Sequence, residues 1–176
     1  LLAGTVITVT TAADSGAGSL RAAITTANSD AGPTTIDFAG GLAGATISPL
    51  SPLPALTEGD TTIDGDLGSD CDPDIQIDGS SAGTDADGLT LGSNGNTVRG
   101  LAIFDFDRNG IQLSGDDNVV ECSYVGTNLA LASGHGNGRT GIEHNSGSDN
   151  RFGPDNVIAY NSENGLRMTE SETGAY

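Results

Sequence analysis

Short runs in which apolar and polar residues alternate recur along this chain, and a glycine opens four of them: GLTL at 88–91, GIQL at 110–113, GIEH at 141–144 and GLRM at 165–168. Strict alternation over three to five residues predicts a strand with one face buried. An Asn-led run follows each of the first three, as NTVRG from 96, NVVEC from 118 and NRFGP from 150. A third run comes next each time, as LAIF from 101, SYVG from 123 and NVIA from 156. Three strands thus recur in the same order three times, and the fourth glycine starts the series again.

Repeats of 20–50 residues mark a solenoid, because a unit this small buries its apolar face only by stacking on its neighbours. Strands this short, separated by Gly, Asn and Asp corners, predict an all-β chain: a parallel β-helix with three faces and about 4.8 Å between stacked strands. Alternation then sorts side chains. Leu89, Ile111, Ile142 and Leu166 point inward, followed by Leu91, Leu113, His144 and Met168, while Thr90, Gln112, Glu143 and Arg167 face solvent. Val98, Val120 and Phe152 form a second inward column, and Ile103, Val125 and Ile158 a third. Asn96, Asn118 and Asn150 share one corner, where stacked amides hydrogen-bond along the axis.

The first half is less regular but continuous with this pattern. TVITVTT at 5–11, TTIDF at 34–38, ATISPL at 45–50, TTIDG at 61–65 and IQIDG at 75–79 read as strands. Pro49, Pro52 and Pro54 fall in connections, as strand chemistry requires. Residues 19–29 read as a short amphipathic capping helix, with Ser19 as N-cap and Leu20, Ala23, Ile24 and Ala27 on one face, expected to lie across the first coil. The chain is expected to be one domain over 1–176: strand and capping helix at 1–33, irregular coils at 34–87 and regular coils at 88–176.

Composition agrees with strands and turns: the 176 residues include 27 Gly and no Trp. Six arginines, no lysine and 24 acidic residues give a net charge of −18, which disfavours nucleic acid and anionic membranes as partners. No run of 18 apolar residues is present, so no membrane insertion by a helix is expected.

ITVTTAADSGAGSLRAAI at 7–24 resembles the "CSLREA"-type opening module of bacterial and archaeal secreted proteins, with Gly18 and Ala22 departing from that wording and no cysteine in it. TTIDGDLGSDCDPDIQIDG, GNTVRGLAI, SYVGTNLALASGHGNGRTGI and PDNVIAYNSENGL are similar to the repeats of the pectin-lyase-like superfamily. The resemblance implies a right-handed β-helix and a secreted or cell-surface protein, adhesin-like in many relatives and a polysaccharide lyase or hydrolase in others.

Those enzymes gather carboxylates on one outer face, and here no acidic pair stacks at the assigned outward strand positions, so no catalytic residue is assigned. Arg99 over Glu121 reads as a surface ion pair between coils. The densest acidic run, DGDLGSDCDPD, offers Asp64, Asp66, Asp70 and Asp72 as weak Ca²⁺ ligands, with Asp74 beside them; Ile75 stands where an EF-hand loop carries its closing Glu. The alternative there is a solvated turn. His135 and His144 have no partners at metal spacing, and Asp105 and Asp107 are candidates for a small patch with Asp116 and Asp117.

Cys71 and Cys122 are the only cysteines. With IQIDG placed two coils before SYVG, they sit roughly 10 Å apart along the axis, too far for a disulfide unless the intervening loop folds down the side. The unfinished coil at GLRMTESETGAY implies either that more chain follows or that another copy covers the end, and the expectation is end-to-end homo-oligomers with residues 5–11 as a donor strand. The leading functional expectation is an extracellular structural rod, adhesin-like or filament-forming. The alternative is a carbohydrate-active module on an extracellular polysaccharide, which the absence of Trp disfavours, since Tyr124 alone occupies an outward strand position.

Overall fold

All fifteen expected strands form, each short, in the computed structural model, which describes residues 4–169. In chain order they are β1 (Thr5–Val9), then helix α1 (Leu20–Ala27), β2 (Thr34–Phe38), β3 (Thr46–Ile47), β4 (Thr61–Asp64), β5 (Ile75–Asp78), β6 (Leu89–Leu91), β7 (Thr97–Arg99) and β8 (Leu101–Phe104). There follow β9 (Ile111–Ser114), β10 (Val119–Glu121), β11 (Tyr124–Val125), β12 (Ile142–Ser146), β13 (Arg151–Phe152), β14 (Val157–Ile158) and β15 (Leu166–Met168). They assemble into three sheets, parallel throughout. Sheet A orders β1-β2-β4-β7-β10-β13, sheet B β3-β5-β8-β11-β14 and sheet C β6-β9-β12-β15. From β4 onward the chain visits A, B and C in fixed rotation, and each circuit lays its strands beside those of the circuit before.

Register matches like with like. Ile36, Ile63, Val98, Val120 and Phe152 lie in line across sheet A, Ile47, Ile77, Ile103, Val125 and Ile158 across sheet B, and Leu89, Ile111, Ile142 and Leu166 across sheet C. Except for Leu166, which is exposed, these columns converge on one apolar core. A one-residue slip would turn every member outward, so the shared core fixes the register. Gly141 shows why glycine opens the sheet C strands β6, β9 and β12. A Cβ there would stand 2.6 Å from the Gly165 carbonyl oxygen and 2.6 Å from Asn161 Nδ2.

Ser19 caps α1 by accepting the Ala22 N–H at 3.2 Å, and the expected apolar face, Leu20, Ala23, Ile24 and Ala27, is buried in the same core. The helix packs on β1 and β2, where sheets B and C have not yet begun. Its polar side chains hold the next connection in place: Asn28 donates to the Ala55 carbonyl at 2.7 Å and accepts the Thr57 N–H at 2.9 Å, and Arg21 donates to the carbonyls of Ser51 and Pro52.

The longest repeat owes its length to residues 126–140, which turn back over the outer face of sheet B. There the Leu129 N–H donates to Gln76 Oε1 at 3.2 Å and His135 meets Phe104 edge-on with ring centres 5.2 Å apart. Ala102 therefore points outward, as alternation requires, yet is buried beneath this flap.

Candidate functional site

Corners position the polar groups of this protein, and the first corner is the expected asparagine stack. Asn118 Oδ1 accepts the Asn96 backbone N–H at 2.9 Å and its side-chain amide at 3.0 Å, while Asn150 Oδ1 accepts the Asn118 N–H at 2.8 Å. Asn96 in turn accepts from the Thr61 N–H at 3.2 Å, extending the ladder by one circuit. The Asn150 side-chain amide nitrogen lies 3.0 Å from Nε2 of the buried His144 ring. Other corners carry ladders that the strand pattern does not predict, two of them built on Asn156 and Asn161. Asn137 and Asn161 stack between sheets B and C, and Ser123 and Asn156 between A and B. Their signal was present in the sequence, in Asn156 and Asn161 flanking VIAY, but it sits outside the strands.

The acidic run divides in two. Asp64 and Asp66 turn to Arg99, at 3.4 and 2.5 Å, and the two oxygens of the wholly buried Asp66 side chain also accept the backbone N–H groups of Asp70 and Cys71 at 3.1 Å. Arg99 lies in register with Glu121 but does not pair with it; Glu121 binds Arg151 at 2.9 Å instead. The expected Arg99–Glu121 pair is thus replaced, because Asp64, one circuit away in the same sheet, and the loop that follows it bring two carboxylates to the same guanidinium. Asp70 and Asp72 line an open cleft with Tyr124 and Asp155. Partial burial, and then the Asp72 carboxylate, hold the Tyr124 phenol above its ordinary value. Asp74 caps the loop by accepting the N–H groups of Leu67 and Gly68. The four predicted Ca²⁺ ligands are therefore not drawn into one set, and among the described residues no group of three or more Asp, Glu, His or Cys side chains is gathered as for a metal.

The loop anchored by Asp66 also corrects the cysteine expectation. Residues 65–74 fold down the side of the stack, and Cys71 and Cys122 are joined by a disulfide, their Cα atoms 4.8 Å apart. The axial distance from β4 to the end of β10 is real, but the loop crosses it. Asp105 and Asp107 likewise do not join Asp116 and Asp117. Asp105 binds His135 at 2.8 Å and Asp107 accepts the Asp85 N–H at 2.7 Å on the corner between sheets B and C, whereas Asp116 accepts the Ser148 N–H at 2.8 Å on the corner between C and A.

A third place lies on the outer face of sheet C. Gln112, Glu143 and Arg167 follow one another there in register, as alternation predicts, but Glu143 is only 8% exposed rather than solvated. The reason is a second stack beside it: Arg108, Arg139 and Glu163 occupy equivalent corner positions on successive circuits, the Arg139 N–H donating to the Arg108 carbonyl at 2.9 Å and the Glu163 N–H to the Arg139 carbonyl at 3.0 Å. The two stacks enclose a pocket of about 150 Å³. Arg167 reaches across to Glu143 at 3.2 Å. Three of the four repeat glycines give the sequence signal: they are preceded two places earlier by Arg, Arg or Glu and followed two places later by Gln, Glu or Arg, in RNGIQ, RTGIE and ENGLR. Inspection of strand positions alone misses the first half of it. No protein-family model matches the chain, and no curated protein matches it.

Proposed function

We propose that the chain is a right-handed parallel β-helix of the pectin-lyase-like kind, opened by a CSLREA-like segment, and that it serves as an extracellular structural module: a rod that lengthens by end-to-end stacking of copies. The observation that carries this reading is the contrast along sheet C. Ile111, Ile142, Leu113 and His144 are buried, whereas Leu166 and Met168, in the same columns one circuit later, are 40% and 56% exposed. An apolar column exposed at the last described circuit, beside an edge of β15 that carries no strand among the described residues, is a template for another strand. At the other end β1 is the outermost strand of sheet A among the described residues, with Val6 63% exposed. A heterologous contact between two such ends repeats without closing and yields a filament. The disulfide supports an oxidising compartment, secreted or at the cell surface.

Light scattering of the intact protein across rising concentration tests the rod. Assemblies should grow with concentration, and Met168→Asp together with Leu166→Asp should return them to monomers without lowering the strand content seen by circular dichroism. Strictly monomeric wild-type protein at high concentration sinks the end-to-end reading.

A further inference from the structure

The pocket on sheet C collects three of the six arginines of a chain that has no lysine and a net charge of −18. Scattered cations on so acidic a protein should each find a carboxylate, and two of these do: Arg167 holds Glu143 at 3.2 Å, and Arg108 lies 3.7 Å from Asp87. Arg139 joins no ion pair among the described residues. Stacking Arg139 directly on Arg108 places like charges on adjacent circuits, which costs stability unless something negative lies between them. Two buried polar atoms at the pocket are also without a partner: Arg108 Nε, and the hydroxyl of Thr140, a residue only 1% exposed. Buried donors left unpaired are rare and costly, so two of them on residues that line one polar cavity suit an acceptor there.

We propose that this pocket binds a small oxyanion, a single carboxylate, sulfate or phosphate group. Arg108 and Arg139 are the charged donors, the Thr140 hydroxyl donates a further hydrogen bond, and the Arg167–Glu143 pair forms the far wall. Guanidinium groups suit such a guest because their N–H groups match paired oxygens. Glu143 is held by Arg167 at 3.2 Å, and Glu163 is the second carboxylate of the lining, so guanidinium groups outnumber carboxylates there three to two. The cavity holds a few waters' worth of space, which fits one acidic group rather than an extended chain. This site is argued apart from the rod reading, since it opens on the outer face of sheet C, while its Arg167 wall belongs to β15 at the proposed docking end.

The test is isothermal titration of the intact protein with sodium sulfate, phosphate and glucuronate in separate runs at constant ionic strength, with chloride as the reference anion. Saturable one-site binding of at least one of the three is expected. A response to glucuronate alone assigns the guest as a carboxylate, and one to sulfate or phosphate assigns a tetrahedral anion. Arg139→Gln, an exposed side chain whose loss leaves the core untouched, should weaken binding roughly tenfold or more, as should Arg108→Gln. Arg151→Gln, on sheet A, should leave it unchanged. No saturable binding of any of the three anions, or undiminished binding by Arg139→Gln, overturns the proposal.

Discussion

Asn118 is the residue on which a whole corner depends, because one side-chain oxygen serves both the backbone and the side chain of Asn96. Replacing it by Ala leaves a buried N–H without an acceptor and should cost about 1–3 kcal/mol in urea denaturation. Val120→Asp should be worse, by several kcal/mol on the same measurement, since a carboxylate would enter a column of apolar side chains with no partner. Asp14 gives a residue-scale effect that depends on pH. The Arg21 guanidinium, and then the Leu50 N–H, hold its carboxyl below the ordinary value. Its stabilisation is therefore complete above the ordinary carboxylate range and is lost as pH falls through the lowered value. Thermal melts of wild type and Asp14→Asn should differ at neutral pH and converge in acid; a constant difference would show that the ionised form contributes nothing.

Among the elements, the Asp66 loop and the disulfide it presents carry the clearest expectation. Closing 51 residues should contribute on the order of 4 kcal/mol by loop entropy, so reduction should lower the denaturation midpoint by a corresponding amount, and the native protein should show no free thiols. The strands and α1 were legible because their signals are local: alternation, a Ser N-cap, glycine at a corner where a Cβ has no room. The disulfide, the Arg99 partners and the burial of Ala102 were not, because each depends on where a loop lies. A strand's period says nothing about whether residues 65–74 or 126–140 stand out in solvent or lie back on the stack. The sheet C pocket falls between these cases. Its inner wall, Glu143 and Arg167, was visible as an outward column, but its other wall stands at corners, where alternation no longer reports direction.

For the molecule as a whole, charge is the widest constraint. At −18 the acidic groups repel one another across the surface, and salt should relieve that strain. Raising ionic strength from about 10 mM to about 150 mM shortens the screening length from roughly 30 to 8 Å, so the melting temperature should rise; a fall would show that the surface ion pairs outweigh the repulsion. The disulfide also has a mechanical meaning. Strands stacked along an axis come apart one after another when the ends are pulled, each circuit unzipping from the last. Peeling from one end halts at Cys122 and from the other at Cys71, so the 51-residue span between them stays withheld from the stretched chain. At about 3.4 Å per residue that is roughly 170 Å of concealed slack. Single-molecule extension in reductant should lengthen by that amount over extension in its absence, making the bridge a stop that sets how far the protein gives way under load.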